Sequence, residues 1–319
     1  MSRQNSPPAG QRGAALLTAM LTVTLVATLA AAALWQQWRS VEVEAAERER
    51  AQAGWILNGA LDWARLILRE DARAGGADHL AEPWAVPLRE ARLSSFLAAD
   101  RDAGDIELDA FLSGEISDQQ ARLNLANLVE GERISEPTRA SLARLFELLG
   151  LPAAELEQLA AQLLSATQRA TPDPQAPLRP QRPAQLLWLG LSPQTLKALA
   201  PHVTLLPSPT PVNLNTASAE VIYACIPGLD LAGARKLVAA RERAPFRTLD
   251  EASRQLPAQG TLLTPVRHAV ASRFFEVRGR LRLAQNLVEE RSLVQRDGLD
   301  VRALWRDRSA VDEAAVPAR

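Results

Sequence analysis

The longest run of hydrophobic positions lies near the start of the chain, between Arg12 and Arg39, where no residue has an ionisable side chain. The run is apolar on every face, which disfavours a buried core helix, and it approaches the roughly twenty residues that a helix needs to cross a bilayer core of about 30 Å. A secretory signal peptide has a shorter apolar region of about 7 to 15 residues, followed by small residues at its cleavage site. Alanines at 31–33 keep that alternative open, but the length favours a membrane span.

The helical pattern continues beyond this run. No proline occurs between Arg39 and Leu68, and hydrophobic residues recur there at the spacing of one helix face. The stripe comprises Ile56, Leu57, Ala60, Leu61, Trp63, Ala64, Ile67 and Leu68. We therefore expect one helix over residues 14–68, on the order of 80 Å long. Arg3 and Arg12 precede the span, and since positive flanks stay cytoplasmic, the bulk of the chain should lie on the far side of the membrane.

Alternation of polar and apolar residues predicts strands in two places. The segment ELDAFLSGEISD, residues 107–118, predicts a strand, a Ser-Gly turn and a second strand. The segment FFEVRGRLRL, residues 274–283, predicts a strand pair that ends the fold. Its apolar face consists of Phe275, Val277, Gly279, Leu281 and Leu283.

Helical blocks with start and stop signals lie between these strands. RASLARLFELLG ends on Gly150, PAAELEQLAAQLLSATQ begins with Pro152, AQLLWLGLSPQTLKALA follows, and two more helices flank the Pro227-Gly228 pair. Five prolines make residues 171–183 an extended connector. The order of long helix, strands, helical block and strands predicts an α+β fold with an inserted α-domain.

Composition excludes some classes of function. The chain has 319 residues, enough for one large or two modest domains. It has 36 Lys and Arg against 37 Asp and Glu, so it has no general attraction to nucleic acid or to an anionic membrane face. The single cysteine, Cys225, stands in an apolar stretch and is expected to pack as a small hydrophobe, and no intramolecular disulfide can form.

Candidate catalytic and metal residues are scarce. His79, His202 and His268 match no metal-binding spacing, and the sequence has no nucleophile elbow or phosphate-binding loop. We therefore predict that the chain is not an enzyme and that it requires no cofactor. Ca²⁺ could be held by acidic pairs, but such pairs are more often solvated turns, so the ion is left unassigned. The pairs considered are Asp100, Asp102, Asp105, Asp297 and Asp300.

The strongest local signal is a predicted helical hairpin within residues 211–252. Asn215 or Thr216 is expected to cap its first helix, with Glu220 in the first turn. Pro227 and Gly228 then turn the chain into a second helix, over residues 232–243.

This hairpin resembles a helix-hairpin-helix module, which elsewhere holds a DNA phosphate on the backbone N–H groups of a P-G-x-G turn. In this sequence Asp230 replaces the second glycine, and its carboxylate repels phosphate and fills the space that the approach requires. Basic residues follow at Arg235, Lys236, Arg241 and Arg243. A basic helix face is usually solvated, so a protein-packing role is favoured over nucleic-acid binding.

Three sequence blocks, in the order in which they occur, resemble those of the type II secretion system protein K family, whose members are minor pseudopilins. They are LDWARLILRED, GEISDQQARLNLANLV and VNLNTASAEVIYACIPGL, and the leader QRG before the apolar run is similar to a prepilin signal. The resemblance implies a pilin-like fold, in which the long N-terminal helix packs on a small antiparallel sheet. The inserted all-α domain would contain a helix-hairpin-helix or SAM-like unit.

The resemblance also implies a division of the chain. The expected parts are a prepilin leader (1–13), the transmembrane part of the helix (14–35), the first part of the pilin-like domain (36–122), the inserted α-domain (123–270, with a second subdomain at about 211–270) and the C-terminal strands and tail (271–319).

Processing by prepilin peptidase is expected between Gly13 and Ala14, with methylation of the new N-terminus. Pilins usually carry glutamate at the fifth mature position, where this chain has Thr18, as in protein K. That glutamate is thought to neutralise the N-terminal amine of a neighbouring subunit. The two charges must pair, because an unpaired charge inside a membrane is energetically costly. Because Thr18 cannot neutralise an amine, the chain suits a terminal position.

The family implies a single-pass inner-membrane protein with a cytoplasmic N-terminus and a periplasmic bulk. Its expected partners are minor pseudopilins I and J at the pseudopilus tip, minor pseudopilin H, major pseudopilin G, prepilin peptidase and, less directly, secreted substrate. The tip complex would prime pseudopilus assembly for export of folded proteins across the outer membrane. The alternatives are a membrane-anchored helix-hairpin-helix protein for DNA binding or uptake, and an anchored enzyme for which the sequence offers no residue set.

Overall fold

The computed structural model describes residues 11–93, 110–167, 176–256, 262–283 and 286–311. The chain divides into two compact units, Met1–Ile56 and Leu57–Arg319. In the first unit the described backbone is a single helix with exposed apolar side chains. The second unit holds the end of that helix, a sheet and the remaining helices.

The first helix, α1, spans Gln11–Ala74 and so extends six residues beyond the predicted end. It ends at Gly75 and Gly76, whose φ angles of +68° and +123° belong to a backbone that favours glycine. Its apolar stretch is long enough to cross a membrane. Only one side of the predicted stripe is buried, because Trp63 is 50 % exposed and Ala60 and Ile67 are half-buried. Leu57, Leu61, Ala64 and Leu68 are at most 5 % exposed.

Five antiparallel strands form the sheet, in the order β1-β2-β9-β10-β11. The strands are β1 (Leu88–Arg92), β2 (Ala110–Asp118), β9 (Phe274–Leu283), β10 (Asn286–Asp297) and β11 (Asp300–Val311). The predicted Ser-Gly turn is wrong, because β2 runs through residues 113–114 as one strand. A Cβ atom on Gly114 would lie 2.8 Å from the carbonyl oxygen of Arg278, so this glycine serves a close approach between strands.

The predicted C-terminal strand pair is also incomplete. β9 has the predicted bounds, but two further strands follow it. β10 and β11 form a hairpin whose turn contains Gly298 at a φ of +58°. The sheet therefore ends in three consecutive antiparallel strands.

A long helical segment connects β2 to β9, although these two strands are neighbours in the sheet. We call residues 119–273 the insert. Its helices are α2 (Glu136–Leu149), α3 (Ala153–Thr167), α4 (Pro193–Leu199), α5 (Ala219–Cys225), α6 (Leu231–Arg243) and α7 (Leu249–Arg254). Two-residue strands pair within it as β3 (Leu123–Asn124) with β6 (Val203–Thr204), β4 (Val129–Glu130) with β5 (Arg133–Ile134), and β7 (Val212–Asn213) with β8 (His268–Ala269).

Some helix ends in the insert follow the sequence signals and others do not. Gly150 ends α2 at a φ of +66°, as predicted. The third block is not one helix, because a 3₁₀ turn at Pro183–Leu189 stops at Gly190, which has a φ of +93°. Ser192 then starts α4, accepting a hydrogen bond from the amide of Thr195 at 3.2 Å.

The two parts of the second unit have separate hydrophobic cores. The core of the insert draws all its buried residues from positions 123–256 and includes Leu142, Leu145 and Ile222. The core beneath α1 joins the helix to the sheet, where Trp84 meets the edge of the Phe275 ring at 5.2 Å. The α+β prediction with a long N-terminal helix is confirmed, whereas the precise domain boundaries and the helix-hairpin-helix or SAM-like assignment stay predictions.

Candidate functional site

The predicted processing site lies at the beginning of α1. This helix starts at Gln11, so the bond between Gly13 and Ala14 falls in its first turn. Cleavage there would leave Ala14 as the first residue of the helix, with its amine at the positive end of the helix dipole. A positive amine at that end is unfavourable unless a negative charge offsets it.

Thr18 supplies no such charge. Its hydroxyl donates to the carbonyl oxygens of Ala14 and Ala15, at 3.0 and 2.9 Å. The same back-bonding recurs at Thr22, Thr24 and Thr28. These bonds satisfy each hydroxyl within the helix and commit Thr18 to its own backbone.

Aromatic and basic side chains follow the apolar run. Trp35 and Trp38 are exposed, and the guanidinium of Arg39 lies 5.9 Å from the centroid of the Trp35 ring. Tryptophan and arginine in this combination are typical of a membrane–water interface. The arrangement is consistent with a span that ends near residue 35.

The helical hairpin is present, but Ser218 caps its first helix. The Ser218 hydroxyl accepts from the amide of Val221 at 3.3 Å, which makes the prediction of Asn215 or Thr216 as the cap wrong. Asn215 instead exchanges two hydrogen bonds with the backbone of Phe246, at 2.8 and 2.9 Å. Thr216 donates to the carboxylate of Asp118 at 2.6 Å.

The turn itself exposes Pro227, Gly228 and Asp230. Gly228 has a φ of +72°, a backbone conformation that glycine adopts without the steric cost of a side chain. Asp230 is the N-cap of α6 and accepts from the amide of Gly233 at 2.7 Å, so α6 begins one residue earlier than predicted. The carboxylate therefore occupies the helix terminus at which a phosphate would otherwise bind.

Two arginines that the sequence reasoning missed hold the carbonyl end of α5. Arg144 donates to the carbonyl oxygens of Tyr223 and Leu229, at 2.7 and 2.5 Å. Arg267 donates to that of Cys225 at 3.2 Å. Cations favour a helix C-terminus, so these contacts fix the turn onto α2. Arg144 lies 79 residues before Tyr223, and no local sequence pattern indicates the contact.

The four basic residues after the turn do not share one surface. Arg241 is 8 % exposed and donates to the carbonyl oxygen of Leu214 at 2.5 Å, and burial lowers its pKa to about 10. Arg243 donates to the carbonyl oxygen of Ala239 at 3.1 Å, whereas Arg235 and Lys236 are exposed. The DNA-binding alternative therefore finds no support in this geometry.

The histidines lie in three different places. His79 follows α1, His202 follows α4 and His268 is in β8. Burial lowers the pKa of His268 to about 4, and its ring accepts from the amide of Thr264 at 3.2 Å. Within the described part of the chain, no hydrogen bond joins one histidine to another.

The acidic residues leave the calcium question unassigned. Asp297 and Asp300 flank the β10–β11 turn, and Asp297 lies 3.8 Å from Arg273. Three candidates, Asp100, Asp102 and Asp105, lie outside the described residues.

A group that sequence reasoning missed consists of Asp71, Asp78 and Glu82, whose carboxylate oxygens lie within 4.8 Å of one another. Arg296 bridges Asp71 and Asp78 at 2.5 Å each, which supplies a positive charge. Burial raises the pKa of Glu82 to about 7, and its carboxylate accepts from the Trp84 indole at 2.8 Å. Hydrogen bonds and one guanidinium thus hold this group together.

Comparison with known proteins gives consistent matches. A family model described as "Type II secretion system (T2SS), protein K" matches residues 212–270, and a second model of the same description matches residues 121–208. Type II secretion system protein K of Pseudomonas aeruginosa is 29% identical in an alignment of 326 positions, and the match covers 93% of this chain and 93% of that protein.

A solved structure has the same fold. It is a chain from the crystal structure of the GspK-GspI-GspJ complex of the type 2 secretion system of enterotoxigenic Escherichia coli. The TM-score is 0.62 at 19% identity, and the match covers 83% of this chain and 98% of that one. The family models, the full-length relative and the shared fold agree with the three sequence blocks. Together they support type II secretion system protein K as the family of this chain.

Proposed function

We propose that this chain is the minor pseudopilin at the tip of the periplasmic pseudopilus, where it joins minor pseudopilins I and J. The matches to type II secretion system protein K support a minor pseudopilin of that system. The solved structure with the same fold comes from a complex named for three such proteins, GspK, GspI and GspJ. In this role the tip complex primes assembly of the major pseudopilin G, together with minor pseudopilin H, for export of folded proteins across the outer membrane.

The observation that carries this proposal is the charge-free start of α1. The Thr18 hydroxyl bonds to its own helix, so the fifth position offers no carboxylate to the amine of a neighbouring subunit. An uncompensated amine in a membrane is costly, so a subunit without this carboxylate is best placed where no amine lies ahead of it. That place is the end of the polymer.

The insert supports the same position. It leaves the sheet after β2 and returns at the neighbouring strand β9, so an entire helical domain is added to a pilin-like sheet without disrupting it. A domain of this size would occupy the space that a following subunit needs. Its surface is the part of the chain best suited to contact secreted substrate or the outer-membrane channel.

Topology follows from the same segment. The positive residues Arg3 and Arg12 precede the apolar run, which favours a cytoplasmic N-terminus, an inner-membrane span and a periplasmic bulk. Prepilin peptidase acts on the cytoplasmic side, so it would cut between Gly13 and Ala14 and leave the span attached. As a structural pseudopilin, the chain is proposed to act without a catalytic residue set.

The test is N-terminal sequencing of the mature protein, combined with purification alongside pseudopilins I and J. We expect a methylated N-terminus at Ala14 and recovery of both partners in detergent. A matched control, Gly13→Leu, should leave the leader attached because the small residue before the cut is lost. A mature N-terminus near residue 33, or a protein recovered free of both partners, would contradict the proposal.

A further inference from the structure

Among the described residues, the main core of the insert and the core beneath α1 share no residue, so contacts outside these two cores set the orientation of the insert on the sheet. The insert connects to the sheet through two adjacent strand ends, Asp118 at the end of β2 and Phe274 at the start of β9. The residues around these two ends are polar and largely buried.

Asp118 is the centre of this region. Its Oδ2 atom accepts from the side chains of Asn213, Thr216 and Ser272, at 3.1, 2.6 and 2.6 Å. Its Oδ1 atom accepts from the amide of Gln120 at 2.7 Å. One carboxylate thus binds the chain just after β2, the chain just before β9, and the segment of the insert around Asn213 and Thr216. Such a set of directed bonds fixes orientation in a way that apolar packing does not.

Asp78 extends the network to the loop that follows α1. Its carboxylate accepts from the amide of Ser272 at 2.6 Å and pairs with the guanidinium of Arg296 at 2.5 Å. Its backbone carbonyl accepts from Asn213 at 3.2 Å. Arg296, on β10, also donates to the carbonyl oxygen of Ser272 at 2.8 Å. The insert is therefore bonded to both the sheet and the end of α1.

Among the described residues, one apolar cluster also crosses the same boundary. Leu206 of the insert packs with Phe274, Leu293 and Trp305 of the sheet. Arg182 adds an ion pair with Asp307 at 2.6 Å and stacks on Trp305 at 5.0 Å. Neither contact involves the main core of either part.

We propose that a polar joint, formed by Asp78, Asp118, Asn213, Thr216, Ser272 and Arg296, sets the direction of the insert on the sheet. Loss of the Asp118 acceptor frees the insert to turn about the two strand ends while both cores stay folded. The inference concerns the chain itself and does not depend on the tip position.

Asp118→Asn is the informative variant because it preserves the size of the side chain. The Gln120 amide faces Oδ1 and the Asn213 side-chain amide faces Oδ2, and both can only donate there, so either orientation of the new amide places its NH₂ group against an N–H donor. The substitution therefore breaks the joint without creating a cavity.

The measurement is the distance between spin labels on the insert and the sheet, by double electron–electron resonance. Cysteines at Glu147 and Ser309 provide exposed label sites on α2 and β11, and the natural Cys225 is buried. In the full chain in detergent we expect a narrow distribution for the parent protein and a roughly twofold broader one for Asp118→Asn, because an element that opens locally samples more positions. Circular dichroism should show unchanged helix content.

Three further variants separate the joint from its alternatives. Glu115→Gln on the same strand removes the negative charge that pairs with Arg278 within the sheet and should leave the distribution narrow. Ser272→Ala removes one donor and should broaden it less than Asp118→Asn does, which decides the matter if Asp118→Asn fails to fold. An unchanged distribution in folded Asp118→Asn or Ser272→Ala, or broadening confined to Leu206→Ala, would overturn the proposal.

Discussion

The guanidinium of Arg144 lies 4.3 Å from the centroid of the Tyr223 ring and donates to the carbonyl oxygen of the same tyrosine. One side chain of α2 thus holds both the face and the backbone of the last turn of α5. The same guanidinium also donates a hydrogen bond to the carbonyl oxygen of Leu229, on the far side of the Pro-Gly turn. The hairpin that the sequence likens to a DNA-binding module is, in this fold, a packing element.

Arg144→Ala should destabilise the insert. The change leaves two carbonyl oxygens without their charged donor, for which we expect a loss of about 2–3 kcal/mol. Arg144→Lys should recover only part of this loss, since an ammonium lacks the planar fork. The measurement is chemical denaturation followed by circular dichroism. Arg139→Ala on the same helix is the control, because its ion pairs with Glu136 and Glu157 are exposed and little change is expected. Equal losses for Arg139 and Arg144 would contradict this assignment.

Replacement of two glycines by alanine should change the free energy of unfolding in opposite directions. Gly114→Ala places a Cβ atom 2.8 Å from a backbone oxygen, so the strands must separate at a cost of about 1–3 kcal/mol. Gly59→Ala meets nothing within 4 Å and lies in α1, so it should stabilise by roughly 0.5–1 kcal/mol. Thermal unfolding of both variants in the same detergent provides the measurement. A neutral Gly114→Ala would show that the strands do not approach this closely.

Sequence reasoning succeeded where the signal is local and periodic. The buried stripe from Leu57 to Leu68 and the end of α2 at Gly150 follow directly from spacing and from glycine. The hairpin of β10 and β11 could have been found, since Asp297-Gly298 between alternating segments is a strong turn signal. Its many arginines and glutamates obscured the alternation.

The other errors arose where distant residues decide a local structure. The Ser-Gly pair at 113–114 has the composition of a turn, but the approach of Arg278 from β9 explains the glycine in a continuous strand. Asn215 and Thr216 have the chemistry of helix caps, but Phe246 and Asp118 bind their side chains. Arg241 belongs to a basic run, yet its partner is the Leu214 backbone. A single sequence does not contain these pairings.

His268 should make the insert sensitive to acid. Its folded pKa of about 4 lies below the ordinary value of 6.5, so between these values the unfolded state binds more protons and stability falls as the pH decreases. The neutral ring suits its site, because one nitrogen accepts from the Thr264 amide while the other contacts the Cys225 carbonyl oxygen. The loss from pH 6.5 to 4 should be roughly 3 kcal/mol.

Comparison with His268→Gln isolates this contribution. Glu82, whose raised pKa of about 7 makes stability fall as the pH increases from its ordinary value of 4.5, titrates in an overlapping range in both proteins and cancels in the difference. Denaturation of each protein at several pH values should show a shallower decline for the variant. Parallel curves from pH 6.5 to 4 would mean that His268 takes up its proton equally in the folded and unfolded states, so that folding does not lower its pKa.

Thr18→Glu should have little effect on assembly of the tip complex. If the chain occupies the end of the polymer, no N-terminal amine of a preceding subunit lies near the new carboxylate. The carboxylate can then pair only with the chain's own N-terminal amine, one helical turn away. We expect unchanged recovery of pseudopilins I and J and unchanged pseudopilus formation. Thr18→Val, which removes the hydroxyl that bonds to Ala14 and Ala15, is the matched control for the substitution itself. A strong gain or loss of pseudopilus assembly in Thr18→Glu alone would place the subunit inside the polymer, where the charge at this position has a partner.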